Sequence, residues 1–183
     1  MAVAQDADGD TLGLLARERG RALLAYAYLL CGDRRTAEDL VQDALVRTFT
    51  RLRAGTDVTH AEAYVRAAIL RGHLDTWRRR QRWRAVRHLL HVPGDETSRD
   101  PAPSVATGSA VHAALATLAP QERVAVVLRH VEDLTVPEVA ARMGLADGTV
   151  KRYLSTATAK LAERLGPVPD DDEQVTVDSR GSR

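Results

Sequence analysis

The chain has 183 residues, of which 44% are hydrophobic and only 4% are aromatic. This length accommodates one medium domain or two small ones, and a core built from Leu, Val and Ala favours helices over sheets. A single cysteine, Cys31, excludes an intrachain disulfide and a cysteine-based zinc site. The formal net charge of +1 conceals a separation: residues 71–87 hold seven arginines and one carboxylate, whereas residues 167–183 hold five carboxylates and two arginines.

The N-terminal end, residues 1–10, is acidic and small, which predicts a disordered segment and lacks the basic start of a secretory signal. No apolar run approaches the length of a membrane span, so a cytoplasmic location without stable membrane association is expected. The first helix is predicted over residues 11–31, where the inward-facing residues recur at helical spacing: Leu12, Leu15, Leu23, Tyr26 and Leu30. Gly32 ends this helix, and Asp33 caps the next one.

The second predicted helix covers residues 34–54, and its inward-facing side follows the helical period: Ala37, Leu40, Val41, Ala44, Leu45, Thr48 and Leu52. The other side of this helix is acidic and polar, with Glu38, Asp39, Gln42 and Asp43, which we call the acidic edge. The acidic edge is either a docking surface for a basic partner or an ordinary solvated face. The helix by itself does not separate these two interpretations.

The third helix is predicted from a capping box at Thr59 and Glu62 to about Leu90. Its second half contains the run WRRRQRWRAVRH, residues 77–88, in which arginines are interleaved with two tryptophans. Guanidinium groups neutralise phosphates and aromatic faces stack on exposed bases, so the run suits nucleic acid. A solvated basic helix end, a helix lying on an anionic membrane, or tryptophans that belong to the core are the alternatives.

Residues 91–108 contain three prolines and two glycines but no Leu, Ile or aromatic residue, which predicts a flexible linker. Stretched out, these eighteen residues reach about 60 Å. Beyond the linker, residues 109–166 predict a small four-helix domain, in which Ser109 caps the first helix and Pro120 lies in the first turn of the second. The acidic tail, residues 167–183, is predicted to be disordered.

A helix-turn-helix is predicted within residues 134–165. Thr135 and Glu138 have the spacing of a capping box, and Gly144 occupies a helix end where left-handed backbone favours glycine. The second helix of the pair presents a small, polar and basic leading end, with Thr149, Lys151, Arg152, Ser155 and Thr156. This end would enter the major groove of DNA, although a hairpin of similar pattern can also be purely structural.

No catalytic constellation is visible, since the six histidines are scattered and neither a phosphate-binding loop nor a nucleophile elbow occurs. The carboxylates lie on amphipathic helix faces. The sequence therefore predicts a protein that is not an enzyme and that needs no cofactor and no metal.

Three stretches in this order resemble the extracytoplasmic-function sigma factors of bacterial RNA polymerase, which belong to the sigma-70 family. AEDLVQDALVRTF, residues 37–49, resembles the segment that grips the polymerase clamp. AYVRAAILRGHLDTWRRRQRW, residues 63–83, resembles the helix that recognises and opens the minus-ten promoter element. Residues 118–161, with the helix-turn-helix, resemble the fourth sigma region, which recognises the minus-thirty-five element.

The resemblance implies an all-α fold of two helical domains joined by the flexible linker. Sigma region 2 would occupy residues 11–90 and sigma region 4 residues 109–166. The implied polymerase-binding residues are those of the acidic edge. The implied minus-ten contacts are Arg71, His73, Trp77, Arg78, Arg79, Arg80 and Arg82, and the implied minus-thirty-five contacts are Thr149, Lys151, Arg152, Ser155 and Thr156. The implied partners are core RNA polymerase, promoter DNA and an anti-sigma factor.

Two departures from the family pattern bear on promoter choice. Arg71 stands where the family usually has asparagine, which adds a charge and removes an acceptor near the minus-ten contacts. Tyr153, Thr156 and Thr158 stand at positions that are often arginine in the family, so fewer phosphate contacts and a shallower salt dependence are expected from the helix-turn-helix.

Two alternatives accompany this interpretation. A stand-alone DNA-binding regulator would keep the helix-turn-helix and lack polymerase docking, and the acidic edge discriminates between the two. A membrane-surface protein would use the basic helix and leave the helix-turn-helix without a role.

Overall fold

A computed structural model of the protein describes residues 3–49, 57–89 and 110–166. These parts of the chain are all helical, as predicted, and contain no strand. Seven helices follow one another: α1 (Val3–Cys31), α2 (Arg34–Phe49), α3 (Val58–Leu89), α4 (Ala110–Leu115), α5 (Pro120–His130), α6 (Val136–Met143) and α7 (Asp147–Leu165). The predicted linker (91–108), the predicted cap Ser109 and the acidic tail lie outside the described residues.

Two helices begin at other residues than the sequence predicted. Helix α1 starts at Val3 rather than at Thr11, because each residue added to an existing helix gains a hydrogen bond and Ala-containing sequence extends at little cost. Helix α3 starts at Val58, and its cap is Asp57 rather than Thr59. The Asp57 carboxylate accepts a hydrogen bond from the backbone N–H of Thr59 at 3.1 Å. Hydrogen bonding to Thr59, first from its side chain and then from its backbone, lowers the pKa of Asp57.

The described residues of the predicted stripes of α1 and α2 face the core, while the side chain of Leu12 and all of Leu52 lie outside the described residues. In α1 the side chains of Leu15, Leu23, Tyr26 and Leu30 are buried, and in α2 those of Ala37, Ala44 and Thr48. Helix α3 closes this unit by burying Ala61, Val65, Ile69, Leu70 and Leu74 against them. Asp33 caps α2 as predicted, since its carboxylate accepts a hydrogen bond from the N–H of Thr36 at 2.8 Å.

The helix-turn-helix consists of α6 and α7, with Val139, Ala140, Met143, Val150 and Ala157 buried inside it. Glu138 accepts hydrogen bonds from the backbone N–H of Thr135 at 2.8 Å and from its hydroxyl at 2.6 Å, so the carboxylate makes both contacts at this helix start. Gly144 ends α6 with φ at +66°, the left-handed conformation that favours glycine.

The N-terminal and C-terminal halves pack directly on each other, an arrangement that we call the closed packing. A single cluster of buried side chains contains Tyr26 and Ile69 from the first half together with Val124, Val139 and Val150 from the second. Leu29 of α1 reaches into a further cluster formed by Leu115, Leu118, Val126 and Ala157 of the second half. The Tyr28 and His112 rings meet with centroids 5.2 Å apart.

Candidate functional site

The acidic edge of α2 is exposed to solvent. All four of its side chains lie on the surface, and two of them meet arginines of the same helix: Arg34 Nε is 2.9 Å from Glu38 Oε1, and Arg47 Nη2 is 3.9 Å from Asp43 Oδ2. Exposed pairs of this kind contribute little to stability because solvent screens them, so a basic partner can replace the arginines at little cost. The edge is therefore open to docking.

Among the side chains that the structure describes, the basic run of α3 presents exposed Arg79, Arg80 and Arg82 and the less exposed Arg78, and Arg71 is exposed earlier on the same helix. The two tryptophans differ in their exposure to solvent. Trp83 is 68% exposed and can stack on a base, whereas Trp77 is half-buried and lines a crevice between the two halves of the protein. The sequence alone could not show which tryptophan is free to stack on a base and which packs inside the protein, because their burial depends on residues from the other half.

Arg78 makes a contact that the sequence did not predict. Its Nη2 donates a hydrogen bond to the backbone carbonyl of Met143 at 3.1 Å, at the end of α6, and its Nη1 lies 3.4 Å from Asp75 Oδ1. The guanidinium group thus satisfies a carbonyl at a helix end, where carbonyls lack partners within the helix. In the closed packing this predicted DNA contact is engaged within the protein.

His73 lies in the same crevice, which has a volume of about 270 Å³ and is lined by residues of both halves, among them Cys31, Trp77 and Arg123. The Nε2 atom of His73 is buried and has no hydrogen-bond partner among the described residues. Burial, followed by the neighbouring charges of Arg123 and Arg80, lowers the pKa of His73 from 6.5 to about 4. The ring is therefore neutral near pH 7, and its Nε2 atom is shielded from solvent in the closed packing.

Acid should destabilise the folded protein through His73. Below its unfolded pKa of 6.5 the ring takes up a proton in the unfolded chain but not in the folded chain until the pH reaches about 4. Stability therefore falls across this window as the pH falls, by up to about 2 kcal/mol at pH 5. We expect the free energy of unfolding of His73→Gln, measured in urea, to fall less between pH 7 and pH 5 than that of the wild type. His60→Gln, at an exposed position of the same helix, should behave like the wild type.

The leading end of α7 is accessible. The side chains of Lys151, Arg152, Ser155 and Thr156 are exposed and Thr149 is half-buried, so all five predicted residues lie on or near one surface of the helix-turn-helix. The Arg152 guanidinium carbon lies 5.7 Å from the centre of the Tyr153 ring. Both cations stand at the N-terminal half of the helix, the part that contacts bases when a recognition helix enters the major groove.

A charged cluster around Glu132 was missed by the sequence analysis. The Glu132 side chain is only 10% exposed, and its two oxygens lie 3.1 Å from Arg142 Nη1 and 3.8 Å from Arg66 Nη1. Arg66 belongs to α3 and also lies 5.0 Å above the buried Tyr26 ring. Burial and the nearby Glu132 carboxylate raise the pKa of Tyr26. A sequence pattern gives no signal for this cluster, since its members come from separate helices and from the turn between α5 and α6.

Comparisons with known proteins identify two matching families in the chain. Sigma-70 region 2 matches residues 15–84, and Sigma-70, region 4 matches residues 109–161. None of the described helices has the combination of length and apolar character that crossing a bilayer requires.

Individual relatives agree with the family matches. The chain is 37% identical over 153 residues to the RNA polymerase sigma-E factor of Streptomyces coelicolor, covering 81% of this chain and 82% of the relative. It is 38% identical over 156 residues to the sigma-E factor of Streptomyces avermitilis, with the same coverage of both chains. Among solved structures, the sigma factor RpoE of Bartonella quintana, in complex with the anti-sigma factor NepR, matches with a TM-score of 0.53 and 27% identity over 86% of this chain and 95% of that chain.

Proposed function

This chain belongs to the sigma-70 family as an extracytoplasmic-function sigma factor, and we propose from this premise that it docks on core RNA polymerase, contacts both promoter elements and starts transcription. The observation that carries the proposal is the presence, in one chain and in family order, of an exposed acidic edge, an arginine-rich helix and an accessible helix-turn-helix. It acts as a non-catalytic subunit, and the chemistry of RNA synthesis stays with the polymerase.

The acidic edge is the proposed polymerase-docking surface. Its exposure supports this role, and so does the position of two aspartates on one side of α2. The arginine that pairs with this edge at Asp43 lies on the surface, so a basic partner can displace it. Charged groups arranged in this way speed association and suppress wrong partners.

Helix α3 is the proposed minus-ten contact. Arg79, Arg80 and Arg82 would hold the DNA backbone beside the melted region, and Trp83 offers a face for an unstacked base. Unstacking has a cost of a few kcal/mol per base, and aromatic stacking returns about 1–3 kcal/mol. Arg71, His73, Trp77 and Arg78 belong to the same proposed surface. In the closed packing the Nε2 atom of His73 is buried, and Arg78 donates a hydrogen bond to the Met143 carbonyl.

Helix α7 is the proposed minus-thirty-five contact. Replacing Lys151 and Arg152 by alanine should weaken promoter binding and make its logarithmic salt dependence shallower by about 1.8, because two phosphate or base contacts disappear. Binding titrations at several salt concentrations measure this. Arg164→Ala, at an exposed position near the end of the same helix, should leave the slope unchanged, and an equal effect of both variants would contradict the assignment.

An anti-sigma factor is the proposed regulatory partner. The solved relative RpoE is bound to the anti-sigma factor NepR, and the likeness to this chain covers nearly the whole of that sigma factor. We place the protein in the cytoplasm, where core polymerase and promoter DNA are found.

Reconstitution tests the proposed function. The full chain, mixed with core RNA polymerase and a library of promoter templates, should form a stable complex and yield run-off transcripts from a subset of templates. Absence of both binding and transcripts would reject the proposal. DNA binding without polymerase binding would favour the alternative, a stand-alone helix-turn-helix regulator.

A further inference from the structure

The crevice that contains His73 has room for one small molecule. Its volume is about 270 Å³. A cavity of about 150 Å³ can hold a benzene ring, whereas pockets for drug-sized ligands begin at about 300 Å³. The crevice therefore fits a single six-membered ring with one or two polar substituents, and it is too small for a nucleotide.

The lining of the crevice is apolar at its buried end and polar at its mouth. Leu30 and Leu118 are buried, whereas Arg80 and Gln81 are exposed to solvent. The half-buried Trp77 contributes an indole ring to the lining, on which a flat ligand can stack. A matching ligand is therefore an aromatic ring that carries a polar or charged group at the end facing the mouth.

The charges around the crevice favour an anion. Arg80 and Arg123 both line it, and none of the described lining residues is an aspartate or a glutamate. The Arg123 guanidinium group is held in place, because its Nε donates a hydrogen bond to the Leu115 carbonyl at 2.9 Å and its Nη2 to the Ala116 carbonyl at 3.3 Å. After burial, the charges of Arg123 and Arg80 lower the pKa of His73, so both cations act on the interior of the crevice.

His73 supplies a polar atom that a ligand can satisfy. Its Nε2 atom is buried and has no hydrogen-bond partner among the described residues. Leaving such an atom without a partner is unfavourable, so a ligand group that reaches it gains affinity. A hydroxyl group can both donate and accept a hydrogen bond, and it therefore suits either tautomer of the neutral imidazole.

We propose that the crevice is a binding site for a small phenolic carboxylate, with the ring beside Trp77, the carboxylate on Arg80 and the hydroxyl on His73. A guanidinium group binds a carboxylate through two parallel hydrogen bonds, which gives the anion a defined orientation. Arg80 and Trp77 also belong to the proposed minus-ten surface, so the bound ligand competes with promoter DNA. This competition rests on the proposed function, whereas the binding site itself does not.

Titration of the full chain with para-hydroxybenzoate, followed by nuclear magnetic resonance, tests the site without DNA or polymerase. We expect saturable one-to-one binding with a dissociation constant of about 1 mM or below, as suits a ligand of this size. Benzoate, which lacks the hydroxyl, and para-hydroxybenzamide, which lacks the charge, should each bind about tenfold more weakly. Absence of saturable binding, or equal binding of the three compounds, overturns the proposal.

Substitutions locate the ligand in the crevice. Arg80→Gln should weaken the binding of para-hydroxybenzoate about tenfold or more, because the pairing with the carboxylate is lost. Arg79→Gln is the matched control and should keep the wild-type affinity, since Arg79 is the exposed neighbour on α3 that does not line the crevice. In His73→Phe the preference for para-hydroxybenzoate over benzoate should disappear. Equal affinities of the Arg79 and Arg80 variants would place the ligand elsewhere and overturn the site.

Promoter binding in the presence of core polymerase tests the competition. At about ten times its dissociation constant, para-hydroxybenzoate should lower the promoter affinity about tenfold, and para-hydroxybenzamide at the same concentration and ionic strength at most about twofold. An unchanged promoter affinity overturns the competition.

The outcomes separate the binding site from the function. Ligand binding by a chain that neither binds polymerase nor yields transcripts upholds the site and rejects the proposed function. Transcription by a chain that does not bind the ligand does the reverse.

Discussion

Reversing the charges of Asp39 and Asp43 to lysine should reduce promoter-dependent transcription at least a hundredfold. Both side chains are exposed on one edge of α2, so the substitutions leave the core intact and place two cations opposite a surface selected to receive anions. Loss of attraction together with new repulsion should cost about 3 kcal/mol or more, which corresponds to this factor. Run-off transcription with limiting core polymerase measures the effect.

The control for this variant carries the same change in charge elsewhere. Glu18→Lys on α1 combined with Glu163→Lys on α7 alters two exposed carboxylates outside the acidic edge and should retain most of the activity. DNA binding by the Asp39 and Asp43 variant without polymerase should equal that of its control. If the variant transcribes as well as the control does, the acidic edge is not the docking surface.

Replacing Arg79 and Arg82 by glutamine should weaken the open promoter complex about thirtyfold at physiological salt. The two exposed side chains stand three residues apart on α3, so they share a face and can neutralise neighbouring phosphates. Removing two such contacts should also make the logarithmic salt dependence of complex formation shallower by about 1.8. Permanganate footprinting of unpaired thymines, titrated against salt, measures both quantities.

The matched control removes the same charge from α1. Arg17 and Arg21 are exposed arginines outside the basic run, and their replacement by glutamine should leave melting and the salt slope close to wild type. Polymerase binding should be unchanged in both variants. A slope that shifts equally in both would mean that overall charge, rather than this face of α3, controls the interaction.

Much of the local structure was determined by the sequence. The helical period placed Leu15, Leu23, Tyr26 and Leu30 in the core, because a helix buries residues that recur every three to four positions. Gly144 ended α6 where predicted, since left-handed backbone strongly favours glycine. The acidic edge and the leading end of α7 were likewise predicted to lie at the surface, and they do.

Helix starts were predicted less well where two capping residues compete. Asp57 and Thr59 both precede apolar residues of α3, and either can accept a hydrogen bond from a free N–H group at the start. In the structure Asp57 caps the helix, two residues before Thr59. Glu62 therefore does not take part in a capping box and instead pairs with Arg66 at 3.0 Å and with Arg19 at 3.5 Å. Local sequence preferences could not predict which of the two residues caps α3, because the outcome also depends on contacts with another helix.

Only the tertiary structure decided how the two halves meet. Arg78 and Met143 lie 65 residues apart in the chain, and no local pattern indicates that a guanidinium group from one half will satisfy a carbonyl in the other. Glu132 carried no sequence signal for the same reason, although it lies beside Arg66 and Tyr26. The sequence by itself determined which helix faces carry charge, because helical periodicity and composition can be recognised from a few neighbouring residues. Which of those surfaces the folded chain leaves accessible depends on contacts between distant helices, and these form only when both halves pack.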